Sequence, residues 1–307
     1  LKTGKVVRLT RAVDLFAGWG GFTLGAEQAG VNVVWAANHW PLAVEAHAAN
    51  HPHVEHVCQD LRQADWTALP AYDLLLASPG CQGYSSASQP NRRQYHDALR
   101  ASAWAVVECT DITNPETVIV ENVPAMRRWR MYRHWRSSFE AMGYRVTERI
   151  LTASRYGVPQ RRKRLVICAS RVGAEVAPEP DVEETAFGPC VEWDAGTWRP
   201  IASTTPTARA RMEAAKRNHG PRCLSQHVTG HPGVGLNEPV RTITTKDQWV
   251  VVDGPNYRPF TIREYARAMS FPDSYAWPSS SRQETIKGIG NAIPPKFAEH
   301  HVAAVCS

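Results

Sequence analysis

Cys81 stands in the stretch SPGCQGYS, residues 78–85, where an apolar run gives way to residues that favour turns. A thiolate in such a place is a soft nucleophile that can add to an electron-poor carbon and later leave. Glu121 follows the apolar run TVIV and begins the triplet ENV, a place where an acid is rarely a core residue. Residues 160–164, QRRKR, precede the run LVICAS and supply guanidinium groups. A nucleophile, an acid and a cation are the parts of a covalent reaction in which charge develops on the substrate.

A second group of residues has the makings of a nucleoside site. Residues 14–25 read DLFAGWGGFTLG, and Gly18, Gly20 and Gly21 allow a tight turn and close approach to a ligand, with a helix from about Gly21. The spacing departs from the dinucleotide fingerprint G-x-G-x-x-G. WAANHW offers Asn38, His39 and Trp40 where a ribose and base would lie, and CQDLR places Asp60 one strand further on. An aromatic face for a purine and a carboxylate for its exocyclic amine would hold adenosine. The same residues read equally as a buried Trp and a helix-capping Asp. Cys223, His227 and His231 have a spacing a metal could use but no clear fourth ligand, and no metal is expected.

These residues need a scaffold. RAVDLF, NVVWAA, DLLLAS, TVIVENV and RLVICAS are strand candidates separated by amphipathic segments, which argues for an α/β fold with a doubly wound, mostly parallel sheet. In that architecture ligands gather at the carboxyl ends of the strands, where the polar stretches fall. Residues 1–170 are therefore expected to form a catalytic and cofactor-binding domain. From 171 to 255, Pro, Gly, Thr and acidic clusters predict a smaller, loop-rich second domain. In residues 256–307, TIREYARAMSF restores a helical period and GNAIPP turns into a final helix, a segment expected to pack back on the catalytic domain.

The chain of 307 residues is long enough for one large core and a smaller domain, since single cores stop growing at about 250–300 residues. Its seven cysteines are odd in number and lack CxxC pairs, which points to reduced thiols. No leader and no apolar run near the ~20 residues of a membrane span are seen, so a soluble, cytoplasmic monomer is expected. Residues 127–164 hold twelve Arg or Lys against two acids, 175–196 seven acids and no Arg or Lys, and 199–246 eight Arg or Lys against two acids. Two basic blocks separated by an acidic connector suit a polyanion; a solvated helix face is the plainer reading.

In order and across nearly the whole chain, these motifs resemble the C5 DNA cytosine methyltransferase family. DLFAGWGG resembles its glycine motif, SPGCQGYS its catalytic loop, ENV its acid motif and QRRKR its Q-x-R-x-R; REYARAMSFPDSY and GNAIPP resemble its later motifs. The resemblance implies a Rossmann-like methyltransferase domain, S-adenosylmethionine as cofactor and double-stranded DNA as partner. It implies that Cys81 adds to C6 of a flipped cytosine while Glu121 bonds N3 and the amine, and Arg164, supported by Arg162, binds O2. Cofactor contacts are implied at Phe16, Gly18, Trp19, Gly20, Asn38, His39, Trp40, Asp60, Leu61, Pro79, Asn291 and Ala292. Ser85, Arg92, Arg93 and Arg241 are implied at the nucleic acid, and 171–255 is the region where the family reads its target.

The chain leaves the pattern at three places. His39 stands where the family has a Glu for the ribose hydroxyls, Gly80 where it has a Pro before the cysteine, and Ala292 where a Ser is common. The loss of an acid admits transfer of a carboxylated group from a cofactor analogue as a minor alternative. Methylation of tRNA, by a branch of the same family, and a catalytically dead DNA-binding protein are the other rivals.

Overall fold

The computed structural model describes residues 10–84, 93–278 and 280–306. By internal contacts the chain forms two units, residues 1–151, 163–178 and 297–307, and residues 152–162 and 179–296. Helices of the 256–296 segment thus group with the middle of the chain, and residues 297–307 with the first unit.

The first unit is built on a seven-stranded sheet. In chain order its elements are β1 (Arg11–Leu15), α1 (Gly21–Gln28), β2 (Asn32–Asn38), α2 (Pro41–Asn50), β3 (Glu55–Cys58), β4 (Leu74–Ala77), α3 (Arg93–Thr113), β5 (Thr117–Asn122), α4 (Tyr132–Ala141) and β6 (Arg145–Thr152). After the two-residue β7 (Gln160–Arg161) of the second unit comes β8 (Lys163–Ser170). The sheet order is β3-β2-β1-β4-β5-β8-β6. The pairs among β1 to β5 are parallel, and β8 runs antiparallel to β5. All five strand candidates of the sequence form strands. The order reverses at β1, which carries β2 on one side and β4 on the other, so the ends of β1, β2, β4 and β5 share the crevice side of a doubly wound sheet. Strands β4 and β5 are buried throughout, as strands covered on both faces must be. Val13, Leu15, Leu75, Val118, Val120 and Trp135 belong to the core packed against them.

The second unit contains β9 (Arg199–Pro200), α5 (Pro206–His219), β10 (Arg222–Gln226), β11 (Val240–Arg241), β12 (Trp249–Asp253), β13 (Asn256–Pro259), α6 (Ile262–Ala268) and α7 (Arg282–Asn291). Four strands pair in the order β10-β12-β13-β9. The first unit closes with α8 (Pro295–Cys306), of which residues 297–306 belong to it.

The middle of the chain is less loop-like than its composition predicts. The 14-residue α5 was missed because its mean character is polar, yet its ends are plainly marked. Thr205 caps it by accepting from the Ala208 amide, Pro206 takes the first helical position, and Gly220 at φ 86° ends it after Lys216, Arg217 and His219. The GIGN of GIGNAIPP likewise forms the last turn of α7 rather than a turn, and Pro295 opens α8. Gly290 has to be glycine there: a Cβ would lie 2.2 Å from the Thr244 carbonyl oxygen.

One buried ion pair holds the second unit together. Arg258 and Glu264 are both 0% exposed and bond through two N–H···O contacts of 2.7 and 2.8 Å. Glu264 also accepts from the amides of Glu192 and Thr261, and the Arg258 guanidinium lies 5.2 Å from the Trp198 ring centroid. Arg258→Met is expected to destabilise the protein by about 3–5 kcal/mol, because it strands a buried carboxylate. Urea unfolding checks this, and the double replacement with Glu264→Leu should restore much of the loss.

Candidate active site

Cys81 lies just beyond the end of β4. The Ser78 amide donates to the Leu15 carbonyl, carrying the strand pairing one residue further, and Pro79 is buried. The Asn122 side-chain amide, from the end of β5, donates to the Pro79 carbonyl at 2.7 Å. Cys81 then opens a short 3₁₀ turn, residues 81–83, whose far end is held by the Arg100 Nε donating to the Gly83 carbonyl at 2.9 Å. The Tyr84 ring packs edge-on against Trp129 at 5.6 Å. A half-buried thiol thus sits on a turn tied to two neighbouring elements. Asn122 and Arg100 hold this turn. The Asn of ENV was legible as part of a motif; Arg100, inside a helix, carried no signal.

Gly80 has φ −46° and ψ 114°. This is close to the φ that proline enforces, about −65 ± 15°, so glycine is not needed here for a left-handed bend.

Glu121 and Arg164 meet within the first unit. Strand β5 places Glu121 opposite Val166 of β8, and the Arg164 Nε lies 2.7 Å from Glu121 Oε1. Both residues are only 8% exposed. Arg164 also donates to the Lys163 carbonyl at 2.7 Å. The ion pair lies off the line of a hydrogen bond, since Glu121 Oε1 receives none in good geometry. Such a pair holds an acid and a guanidinium together at a strand end.

Arg162 belongs to the second unit and has a different task. It is 3% exposed and donates to the carbonyls of Ile243, Gly290 and Ala292, each at 3.1 Å. It therefore fixes the end of α7, with exposed Asn291 as its last residue and buried Ala292 just beyond. Gln160 does similar work, donating to the Ala268 carbonyl and accepting from the Ile243 amide, both at 2.8 Å. Arg241 is exposed on β11, paired with β7. Ser85 and Arg92 lie outside the described residues, and Arg93 opens α3.

The glycine turn follows β1 as expected. Phe16 has φ 63°, Gly18 56° and Gly20 80°, and α1 starts at Gly21. A left-handed phenylalanine is costly and marks a turn that the surroundings impose. Trp19 is buried, 6.1 Å from the half-buried Trp40. Asn38 Oδ1 accepts from the Trp40 amide at 3.0 Å, and His39 between them is exposed.

Asp60 is a capping residue, one of the two readings that the sequence left open. It caps the short turn 61–63 by accepting from the Arg62 amide, with Leu61 buried behind it. The Arg62 guanidinium grips the same carboxylate, and its hydrogen bonds pull the Asp60 carboxyl down to about 2, with the charge of His39 a smaller cause. An acceptor that stays ionised is what an amine donor requires. Arg62 was not foreseen because an Arg two residues from an Asp reads as a solvated loop.

Cys223 is buried in β10, and His231 accepts from the Gly233 amide at 3.1 Å with its ring edge-on to Trp249. Among the described residues, no group of three or more His, Cys, Asp or Glu could hold a metal ion. Nor is any described helix long and apolar enough to cross a membrane.

The model of the C-5 cytosine-specific DNA methylase family matches residues 10–187 and 202–306. The type II methyltransferase M1.HphI of Haemophilus parahaemolyticus is 27% identical, over 95% of this chain and 86% of its own. M.NlaX of Neisseria lactamica is 28% identical, over 92% of each. A solved structure of a DNMT2 mutant from Spodoptera frugiperda superposes with a TM-score of 0.73 at 15% identity, over 97% of this chain and 100% of that one. The Dnmt2 methyltransferase of S. pombe gives 0.68 at 20%, over 97% and 98%. At such identities the structures speak for the fold alone.

Proposed function

The chain belongs to the C-5 cytosine-specific DNA methylase family and is a DNA cytosine-5-methyltransferase, and from that premise we propose that it takes the methyl group from S-adenosylmethionine and acts through a covalent bond between Cys81 and the base. The observation that carries this reading is the Glu121–Arg164 pair beside a strand-end thiol turn that Asn122, the neighbour of Glu121, holds by the Pro79 carbonyl.

The residues present fit the cofactor. The turn at Phe16–Gly20 is left-handed at three positions, and a Cβ on Gly18 would meet nothing nearer than 3.8 Å, which leaves room for a ligand against the backbone. Phe16, Gly18, Trp19, Gly20, Asn38, His39, Trp40, Asp60, Leu61 and Pro79 would hold it. Asp60 offers a lasting acceptor to an exocyclic amine, and His39 can bond a ribose hydroxyl through one nitrogen at a time. When bound, S-adenosylmethionine supplies a methyl group made electrophilic by a positive sulfur.

Cytosine C5 is a poor nucleophile, and the protein's own groups change that. Cys81 as thiolate adds to C6, and the electron pair moves toward N3 and C5. Glu121 bonds N3 and the exocyclic amine while Arg164 faces O2, so both offset charge growing in the ring. Once C5 carries its methyl group, loss of the C5 proton expels the Cys81 thiolate and restores the aromatic ring. The cytosine must leave the duplex to reach these groups. Residues 171–255 read the target sequence in this proposal, and Ser85, Arg92, Arg93 and Arg241 contact the nucleic acid.

Labelled S-adenosylmethionine offered with duplex DNA and with tRNA tests the reading. Label is expected in duplex DNA at cytosine, and bisulfite sequencing should place it. Labelling of tRNA alone would overturn it, and DNA binding without any transfer would mean a dead enzyme.

A further inference from the structure

Several buried titratable groups have no part in the reaction above, and they converge under the glycine turn. Asp14, next to last in β1, is 0% exposed, with apolar Ala36 and Leu76 as its strand neighbours. Its Oδ2 accepts from the Thr23 hydroxyl at 2.8 Å. Thr23 is the third residue of α1, a helix whose N-cap, Gly20, has no side chain to give. Asp14 therefore ties the end of β1 to the first turn of α1, and it clasps the two ends of the turn at residues 16–20.

The clasp continues outward. The Thr23 hydroxyl oxygen lies 3.0 Å from His47 Nε2, and His47 Nδ1 lies 2.8 Å from His56 Nε2. Because Thr23 gives its proton to Asp14, its oxygen accepts from His47 Nε2–H, and the bare Nδ1 of neutral His47 accepts from His56 Nε2–H. Burial pushes His47 well below the usual imidazole range, which keeps it neutral. Among the described residues, the other titratable groups facing this run are Glu27 of α1, His51 just after α2, and His53. They are engaged with one another: Glu27 bonds His51 Nδ1 at 2.9 Å and His53 Nε2 at 2.8 Å.

We propose that Asp14, Thr23, His47 and His56 form a positioning chain that couples the glycine turn, and through it affinity for S-adenosylmethionine, to pH. The inference rests on the cofactor reading above. An ionised Asp14 accepts a charge-assisted hydrogen bond from the Thr23 hydroxyl and closes the clasp. Protonation at Oδ1, which has no hydrogen-bond partner to take the new O–H, leaves the Thr23 hydroxyl only a weaker, neutral acceptor at Oδ2, so the clasp loosens. Burial pushes the Asp14 carboxyl up to about 7, which puts the change near neutrality.

The sign is testable in two independent ways. A raised carboxyl favours the protonated folded state, so Asp14 stabilises the fold below about pH 4 and this contribution is lost as pH rises to about 7. Cofactor affinity runs the other way, because binding favours the ionised clasp. Linkage then requires that binding near pH 7 releases a fraction of a proton.

Titration calorimetry with S-adenosylhomocysteine, in two buffers of different ionisation enthalpy from pH 5.5 to 8.5, measures both quantities. Affinity should rise about tenfold across this range, as loss of one charge-assisted hydrogen bond implies, with proton release greatest near the midpoint. Asp14→Asn should abolish the release and flatten the profile. Thr23→Val should move the midpoint upward, and Thr23→Ser, which keeps the hydroxyl, should restore it. If Asp14→Asn does not fold, the Thr23 pair decides. A merely structural role would weaken binding equally at every pH. Binding with a flat profile and no proton release in the wild type overturns this inference alone; absence of binding at any pH removes the cofactor reading with it.

Discussion

Cys81→Ala is expected to abolish methylation, lowering turnover by on the order of 10⁴-fold or more, the scale seen when the nucleophile is removed from an enzyme that works through a covalent intermediate. The reason is electronic: without addition at C6, C5 does not gain the electron pair it needs. The variant should fold normally. The turn is held by Asn122 at the Pro79 carbonyl and by Arg100 at the Gly83 carbonyl, and neither contact uses the sulfur. Transfer of labelled methyl groups to plasmid DNA measures the loss. Undiminished methylation by Cys81→Ala would end the covalent mechanism.

Glu121→Gln should lower kcat by about 10²–10³-fold with a much smaller change in the KM for DNA. Gln keeps the shape and one acceptor oxygen but cannot supply the charge that offsets a proton held at N3. It also leaves the Arg164 guanidinium, 8% exposed, without its carboxylate. Arg164→Met should cost a similar amount, and the double variant less than the product of the two, because the residues act as a pair. Additive losses in steady-state kinetics would show that they act separately.

Much of the first unit was legible in the sequence because its strands are buried on both faces. LLLA, TVIV and LVICAS are continuous apolar runs, and a continuous run ending in a polar turn marks both a central strand and the site at its tip. Helix α5 was hidden for the opposite reason: PTARARMEAAKRNH buries only Met212 and Ala215, so it has little apolar stripe to see, and only its Thr-Pro start and Gly stop announced it. Motif order brought Cys81, Glu121 and Arg164 forward together but could not divide the work of QRRKR. Alternation buries Gln160, Arg162 and Arg164 alike, yet Arg164 on β8 meets Glu121 while Arg162, between β7 and β8, meets three carbonyls of the second unit, a difference that spacing does not encode. The departures from the family pattern proved unequal. Gly80 keeps a backbone close to that of proline, whereas His39 brings an imidazole, not a carboxylate, next to an Asp60 already held by Arg62. The run from Asp14 to His56 could not have been read from spacing, because its members come from four different elements.

DNA in which 5-fluorocytosine replaces cytosine tests the central claim most directly. Fluorine at C5 cannot leave as a proton does, so an adduct formed through the proposed chemistry has no way to collapse. With S-adenosylmethionine present, the protein should become bound to this DNA in a complex that survives detergent, and peptide mass spectrometry should find the modified cytosine on Cys81. An adduct on another residue, or normal methylation of ordinary DNA by a protein that forms no adduct with fluorinated DNA, would contradict it.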